Sequence, residues 1–170
     1  METIIVSIVS MALIIVSTLT VTVSTFQSAN RLADAWKNME ERSGVVRQTD
    51  INTLAPEDYQ GGQIILTVQN EGNVNLNDFS SWDVIVQYQS GGSVYVAFTT
   101  SYPPEVGRWA VEGIYVAGGS PEVFDPGILN PGERMTVSIS PTPEIGPGEM
   151  ARIIVSTPGG VTSQCYVTRE

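Results

Sequence analysis

Residues 3–30 read TIIVSIVSMALIIVSTLTVTVSTFQSAN, 28 residues without a charged side chain, a proline or a glycine. As a helix this stretch is about 42 Å long, and a bilayer core needs only about 20 apolar residues. Its many Ile and Val residues also suit a buried strand, but strands rarely exceed about 10 residues. Length decides for a helix. A secretory signal peptide fits poorly, because the basic n-region and the small-residue cleavage site are both missing.

Between Thr3 and Thr25 the segment carries nine hydroxyl side chains, too many for a helix that meets only lipid tails. At about 100° per residue, all but Thr20 and Thr22 fall within an arc of roughly 120°. Ser10, Ser17 and Ser24 recur every seven residues, the period of a helix–helix seam. Small hydroxyl side chains let backbones approach and hydrogen-bond across helices, while the competing role is back-bonding to the helix's own carbonyls. The expected helix–helix or membrane face comprises Ser7, Ser10, Ile14, Ser17, Val21, Ser24, Phe26, Leu32 and Trp36.

The helix is expected to outrun the membrane. Phe26, Ala29, Leu32, Ala33, Trp36 and Met39 continue an i, i+3/i+4 apolar stripe, and Lys37 is spaced to pair with Asp34, Glu40 or Glu41. Ser43-Gly44 reads as a C-terminal stop, giving one helix of about 40 residues, roughly 60 Å long. The chain thus divides into a helical head, 1–44, and a body, 45–170. Lys and Arg first occur at Arg31, after the apolar span. Read literally, the positive-inside rule leaves the body in the cytoplasm; removal of a short basic leader before Met1 is the alternative.

Charge separates the same two parts. Of the net −10, residues 1–47 contribute nothing, with Glu2, Asp34, Glu40 and Glu41 set against Arg31, Lys37, Arg42 and Arg47. The whole excess lies in the body. The absence of histidine excludes Ser-His-Asp and Cys-His nucleophile systems and histidine metal ligands. A single cysteine, Cys165, can neither close an intramolecular disulfide nor build a thiolate zinc cage. An acidic body repels nucleic acid. The expectation is a protein that is not an enzyme and holds no cofactor or metal; an enzyme using serine, aspartate or glutamate, or a soluble binding module, is the remaining minor possibility.

In the body the hydrophobic period changes to two. Ile64, Leu66 and Val68 alternate with polar neighbours, as do Val84, Val86 and Tyr88, then Val94, Val96 and Phe98 after the turn Ser90-Gly91-Gly92-Ser93. Met135, Val137 and Ile139 form another row, as do Ala151, Ile153 and Val155, and Pro158-Gly159-Gly160 turns the chain into 161–168. With strands near 45–51 and 109–116, seven or eight short strands are expected. The fold class is α+β: a long N-terminal hydrophobic helix followed by an all-β immunoglobulin-like sandwich. Cys165 alternates in phase with Val161 and Val167 and reads as a core residue, an intermolecular disulfide being the alternative. Trp82 and Trp109 are expected to pack, and Trp36 to face a neighbouring subunit.

Two further groups attract attention. Asn73, Asn75, Asn77 and Asp78 place oxygen side chains as in a calcium loop, but the glycine and closing glutamate of an EF-hand are not at their spacings, so turn formation is the preferred reading. Glu122 and Asp125 flank a proline-rich loop and read as solvated surface carboxylates.

The order of parts is similar to the archaellin and type IV pilin-like superfamily. Phe26-Gln27-Ser28-Ala29-Asn30-Arg31-Leu32-Ala33-Asp34-Ala35-Trp36 resembles archaellum proteins of the FlaF and FlaG kind, as does Glu41-Arg42 followed by Arg47-Gln48-Thr49-Asp50-Ile51. Leu66-Thr67-Val68-Gln69-Asn70-Glu71-Gly72 and Leu129-Asn130-Pro131-Gly132-Glu133 resemble strand–turn patterns of the same domains. The resemblance implies an extracellular body and a helix that sits in the cytoplasmic membrane before assembly. It implies first a filament subunit polymerising through its helix, for motility or adhesion, served by an archaellum or pilus assembly machinery. The alternative it implies is a membrane-anchored accessory or stator protein whose sandwich binds the cell-envelope layer. Many pilins carry a glutamate at the fifth mature position; here the early acid is Glu2.

Overall fold

The computed structural model describes residues 2–54, 56 and 58–169; Met1, on which the leader expectation turned, lies outside them. Helix α1 spans Glu2–Gln48. Nine strands follow: β1 Ile51–Thr53, β2 Asp58–Gln60, β3 Gln63–Asn70, β4 Asp83–Tyr88, β5 Ser93–Phe98, β6 Arg108–Tyr115, β7 Arg134–Ser140, β8 Met150–Ser156 and β9 Thr162–Thr168. A short 3-10 turn, Phe79–Ser81, leads into β4. Two compact units result, Met1–Ser43 and Gly44–Glu170.

The expected class of helix plus sandwich is present, with differences in detail. α1 passes through Gly44 and ends at Gln48, so the strand placed near 45–51 is helical over most of its length and only β1 remains. Glycine inside a helix costs about 1 kcal/mol. The helix runs on to where its last carbonyls find donors: the Thr49 N–H and hydroxyl both donate to the Val45 carbonyl, at 3.0 and 2.9 Å. Strand β2 was not anticipated; it extends the β3 edge through Asp58↔Ile65 and Gln60↔Gln63.

The strands follow the spatial order β1-β3-β7-β6-β5-β4-β8-β9. Antiparallel pairs dominate, including the β4–β5 hairpin through Gly91 and Gly92, both with positive φ. The exception is β5–β6, a parallel contact at Ala97↔Arg108 and Phe98↔Trp109. It turns one layer into the other. At the opposite corner β1 returns against β9, where the Thr53 N–H donates to the Ser163 hydroxyl at 2.8 Å, so the sandwich approaches a closed barrel.

The inward rows match the alternation: Ile64, Leu66 and Val68 face Met135, Val137 and Ile139, and Val84 and Val86 face Ile153 and Val155, all buried. Trp82 and Trp109 are buried too, Trp109 stacked edge-on to Phe98 at 4.8 Å. Cys165 lies in this core, where burial pushes its thiol up to about 11.

Candidate functional site

Two places in the chain have unusual chemistry: the exposed surface of α1 and the turn that receives its C-terminal end. In α1 the nine residues singled out are exposed in the single chain, with Ile14, Val21, Phe26, Leu32 and Trp36 each 60% or more accessible. The helix is long and apolar enough to cross a membrane. At 100° per residue eight of the nine lie in one arc of roughly 120°, while Phe26 projects outside it.

The hydroxyls divide into two sets. Thr18, Thr20, Thr22, Thr25 and Ser28 donate to the carbonyl four residues earlier, at 2.8–2.9 Å. Among the described residues, the side chains of Ser7, Ser10, Ser17 and Ser24 make no hydrogen bond within the chain. The heptad serines therefore keep their donors free, whereas the threonines are spent on the backbone. Further along, Lys37 pairs with Glu41 at 4.0 Å, both well exposed, a contact of little energetic weight.

The receiving turn follows β3 and was not singled out as a site. The Asn73 N–H donates to the Gln48 carbonyl at 2.8 Å, and the Gly72 and Glu71 N–H groups donate to the Asp50 carbonyl at 3.1 and 3.0 Å. Gly72 is required by space: a Cβ there would lie 2.5 Å from both the Gln48 carbonyl oxygen and the Asp50 nitrogen. Asn70 organises the turn from below. Fully buried, it donates through Nδ2 to the carbonyls of Val74 and Leu129, at 2.8 and 2.9 Å, and its Oδ1 accepts from the Gly72 N–H at 3.0 Å. The stretch Asn70-Glu71-Gly72 was visible in sequence as a turn. Its partner segment 48–50 was not, because that pairing needs the tertiary fold.

Three carboxylates of the body, Asp78, Glu122 and Glu149, clamp turns. Asp78 accepts from the Ser80 and Ser81 hydroxyls, which lower its pKa. Glu122 is lowered by the N–H groups of Phe124 and then Asp125. Glu149 is lowered by the Ser90 hydroxyl, then by the Gly146 and Ser90 N–H groups. Among the described residues there is no group of three or more His, Cys, Asp or Glu spaced to hold a metal.

The described chain is thus an apolar helical head and a near-closed β-sandwich. No protein-family model matches the sequence, and neither does any curated protein. Solved structures do. The archaellum periplasmic stator protein FlaG from Sulfolobus acidocaldarius matches with a TM-score of 0.53 at 15% identity, over 70% of this chain and 99% of that one. The periplasmic stator complex of FlaF and FlaG from the same organism matches at 0.52 and 14%, over 69% and 87%. The archaeal flagellum of Methanospirillum hungatei strain JF1 covers 92% of this chain and 90% of that one at 16% identity, but its TM-score of 0.44 bears no weight. The chain shares the fold of the archaellum stator proteins, and those neighbours are structural components of the archaellum by name.

Proposed function

We propose that this protein is a structural component of an archaellum-like surface appendage, anchored in the cytoplasmic membrane by α1, with its sandwich outside as a stator-type accessory that grips the cell envelope. The observation that carries the reading is the match of 70% of this chain to nearly the whole length of the FlaG stator protein. An acidic body suits the aqueous side of the membrane, and the apolar head suits the bilayer. In this reading the envelope layer and other stator proteins are the partners.

A second reading rests on a different observation. Helix α1 is about twice as long as a bilayer span requires, and its free heptad serines lie on one exposed face. Such a helix suits a filament core, in which head-to-tail contacts that do not close on themselves build a polymer of identical subunits.

Fractionation separates the two. Cells are sheared, and the chain is counted by mass spectrometry in the appendages and in the membranes. A stator protein stays with the membrane at low copy number, and the full chain in detergent binds isolated envelope layer. A filament shaft built of this chain, seen by cryo-electron microscopy, replaces the stator reading with the filament one. Absence from both fractions overturns both.

A further inference from the structure

The sandwich carries one apolar feature that its core does not use. Phe124 is 92% and Val123 78% exposed, the most exposed large hydrophobic residues among the described ones. Full burial of either side chain would remove a large apolar surface from water. Their exposure is built in. The Glu122 carboxylate accepts the Phe124 N–H at 2.7 Å and the Asp125 N–H at 3.2 Å, and the Ile128 N–H closes onto the Asp125 carbonyl at 2.9 Å. Pro121 and Pro126 bracket the loop. A knob held in this way loses little entropy on binding.

Beside the knob lies a groove of about 450 Å³, floored by Phe79, Phe98, Val111 and Ile114 and rimmed by Glu112 and Glu122. Strand β6 is bulged between Val111 and Gly113, which breaks the regular pairing beneath the groove. Knob and groove share one electrostatic character. Glu112, Glu122 and Asp125 surround them, and among the described residues none of the three forms a salt bridge. That collar repels anionic lipid and the acidic body of another copy. The chain's own head is no better match, since its bases stand among as many acids.

We propose that the Val123–Phe124 knob and the adjoining groove dock a different protein, one whose contact segment presents apolar residues flanked by lysine or arginine. Phe124 enters an apolar recess of the partner, a partner side chain fills the groove, and the basic residues meet the carboxylate collar. This holds whether the chain serves as stator or as filament subunit.

The test uses the full chain. A photo-crosslinking amino acid at position 124, with the exposed Val106 position as a control, is activated in cells, and the joined peptides are sequenced. The expected product at 124 joins a second protein at a segment bearing Lys or Arg beside apolar residues. That protein, purified, binds the full chain in zwitterionic nanodiscs. F124A weakens binding about thirtyfold, as for an aromatic hot spot, and the pair E112Q and D125N flattens its salt dependence. F124A leaves thermal melting unchanged, because the ring is exposed. Cross-links only to lipid, only to copies of this chain, to a segment without basic residues or to nothing at all overturn the proposal, and so does unchanged affinity in F124A.

Discussion

The backbone N–H of Asn73 donates to the carbonyl of Gln48 at 2.8 Å, so the last turn of the long helix ends on the turn after β3. Helix ends leave carbonyls without intrahelical donors. Here the sandwich supplies one, and Gly72 makes the approach possible by lacking a Cβ.

Gly72→Ala is therefore expected to be among the most damaging small substitutions in the body. Its methyl would meet backbone atoms at 2.5 Å, and the cost is about 2–4 kcal/mol. Gly127→Ala, with nothing within 4 Å of its Cβ position, serves as the control and is expected to change stability by less than about 0.5 kcal/mol. Denaturant melts of the two full-length variants check this, and equal midpoints would refute the close approach.

Asn70→Leu removes the side chain that holds this turn. The Val74 carbonyl loses its Asn70 donor, at about 1–3 kcal/mol for a group left unpaired, while the Gly72 N–H loses its Asn70 acceptor and keeps only the Asp50 carbonyl. Hydrogen exchange is expected to accelerate at Gly72 and Asn73 before it does in β7 or β8. Uniform acceleration across the sandwich would show that Asn70 is only one core residue among many.

These residues also show where sequence reading reaches its limit. Residues 3–30 announce a helix because only a helix accommodates so long an uncharged run. The inward rows of β3, β4, β7, β8 and β9 follow directly from alternation, and Cys165 could be placed among them by counting. The helix end could not be placed. Gly44 carries the usual signal for a stop, while the real end depends on Asn73, 25 residues away from Gln48 along the chain. The parallel β5–β6 contact was hidden for a similar reason: the long loop from 99 to 107 separates two strands that read as independent. On the helix, the heptad of serines was legible. Which hydroxyls are spent on the backbone required geometry, because Thr18 and Ser17 differ by one position and have opposite fates.

Acid lowers stability through the turn clamps. Asp78, Glu122 and Glu149 have folded pKa values below their ordinary 3.8, 4.5 and 4.5. The folded state binds these protons less readily than the unfolded one, so the three stabilise the fold above their ordinary values. That contribution is lost as pH falls from about 4.5 through the lowered values. Melting temperature is expected to be flat from pH 7 to 5 and to fall below that. Glu149→Gln is expected to reduce the slope of the acid limb; an unchanged slope would remove Glu149 from the account.

Cys165 titrates in the opposite direction. Its thiol is raised from 9.0 to about 11, so the folded state favours the neutral form, and stability is lost as pH rises from 9 towards 11. At pH 8 the buried thiol is expected to resist iodoacetamide in the native protein and to react at once in denaturant. Rapid native labelling would place it at the surface and revive the intermolecular disulfide.

The last prediction concerns the helix. If the free hydroxyls of Ser10, Ser17 and Ser24 bond across helices, replacing all three with Leu should weaken association of the full chain in detergent by about 1–2 kcal/mol. Thr20 and Thr22 donate to Val16 and Thr18 within their own helix, and they lie outside the serine arc. Their replacement by Val removes the same chemical group from the wrong face, so association should not change. Energy transfer between labelled copies, followed across detergent dilution, measures both variants. Equal weakening would show that total polarity governs association, and no weakening in either would assign α1 to the bilayer as a solitary anchor. Only a selective effect of the serines supports a helix–helix seam, and it would hold for a stator pair as well as for a filament core.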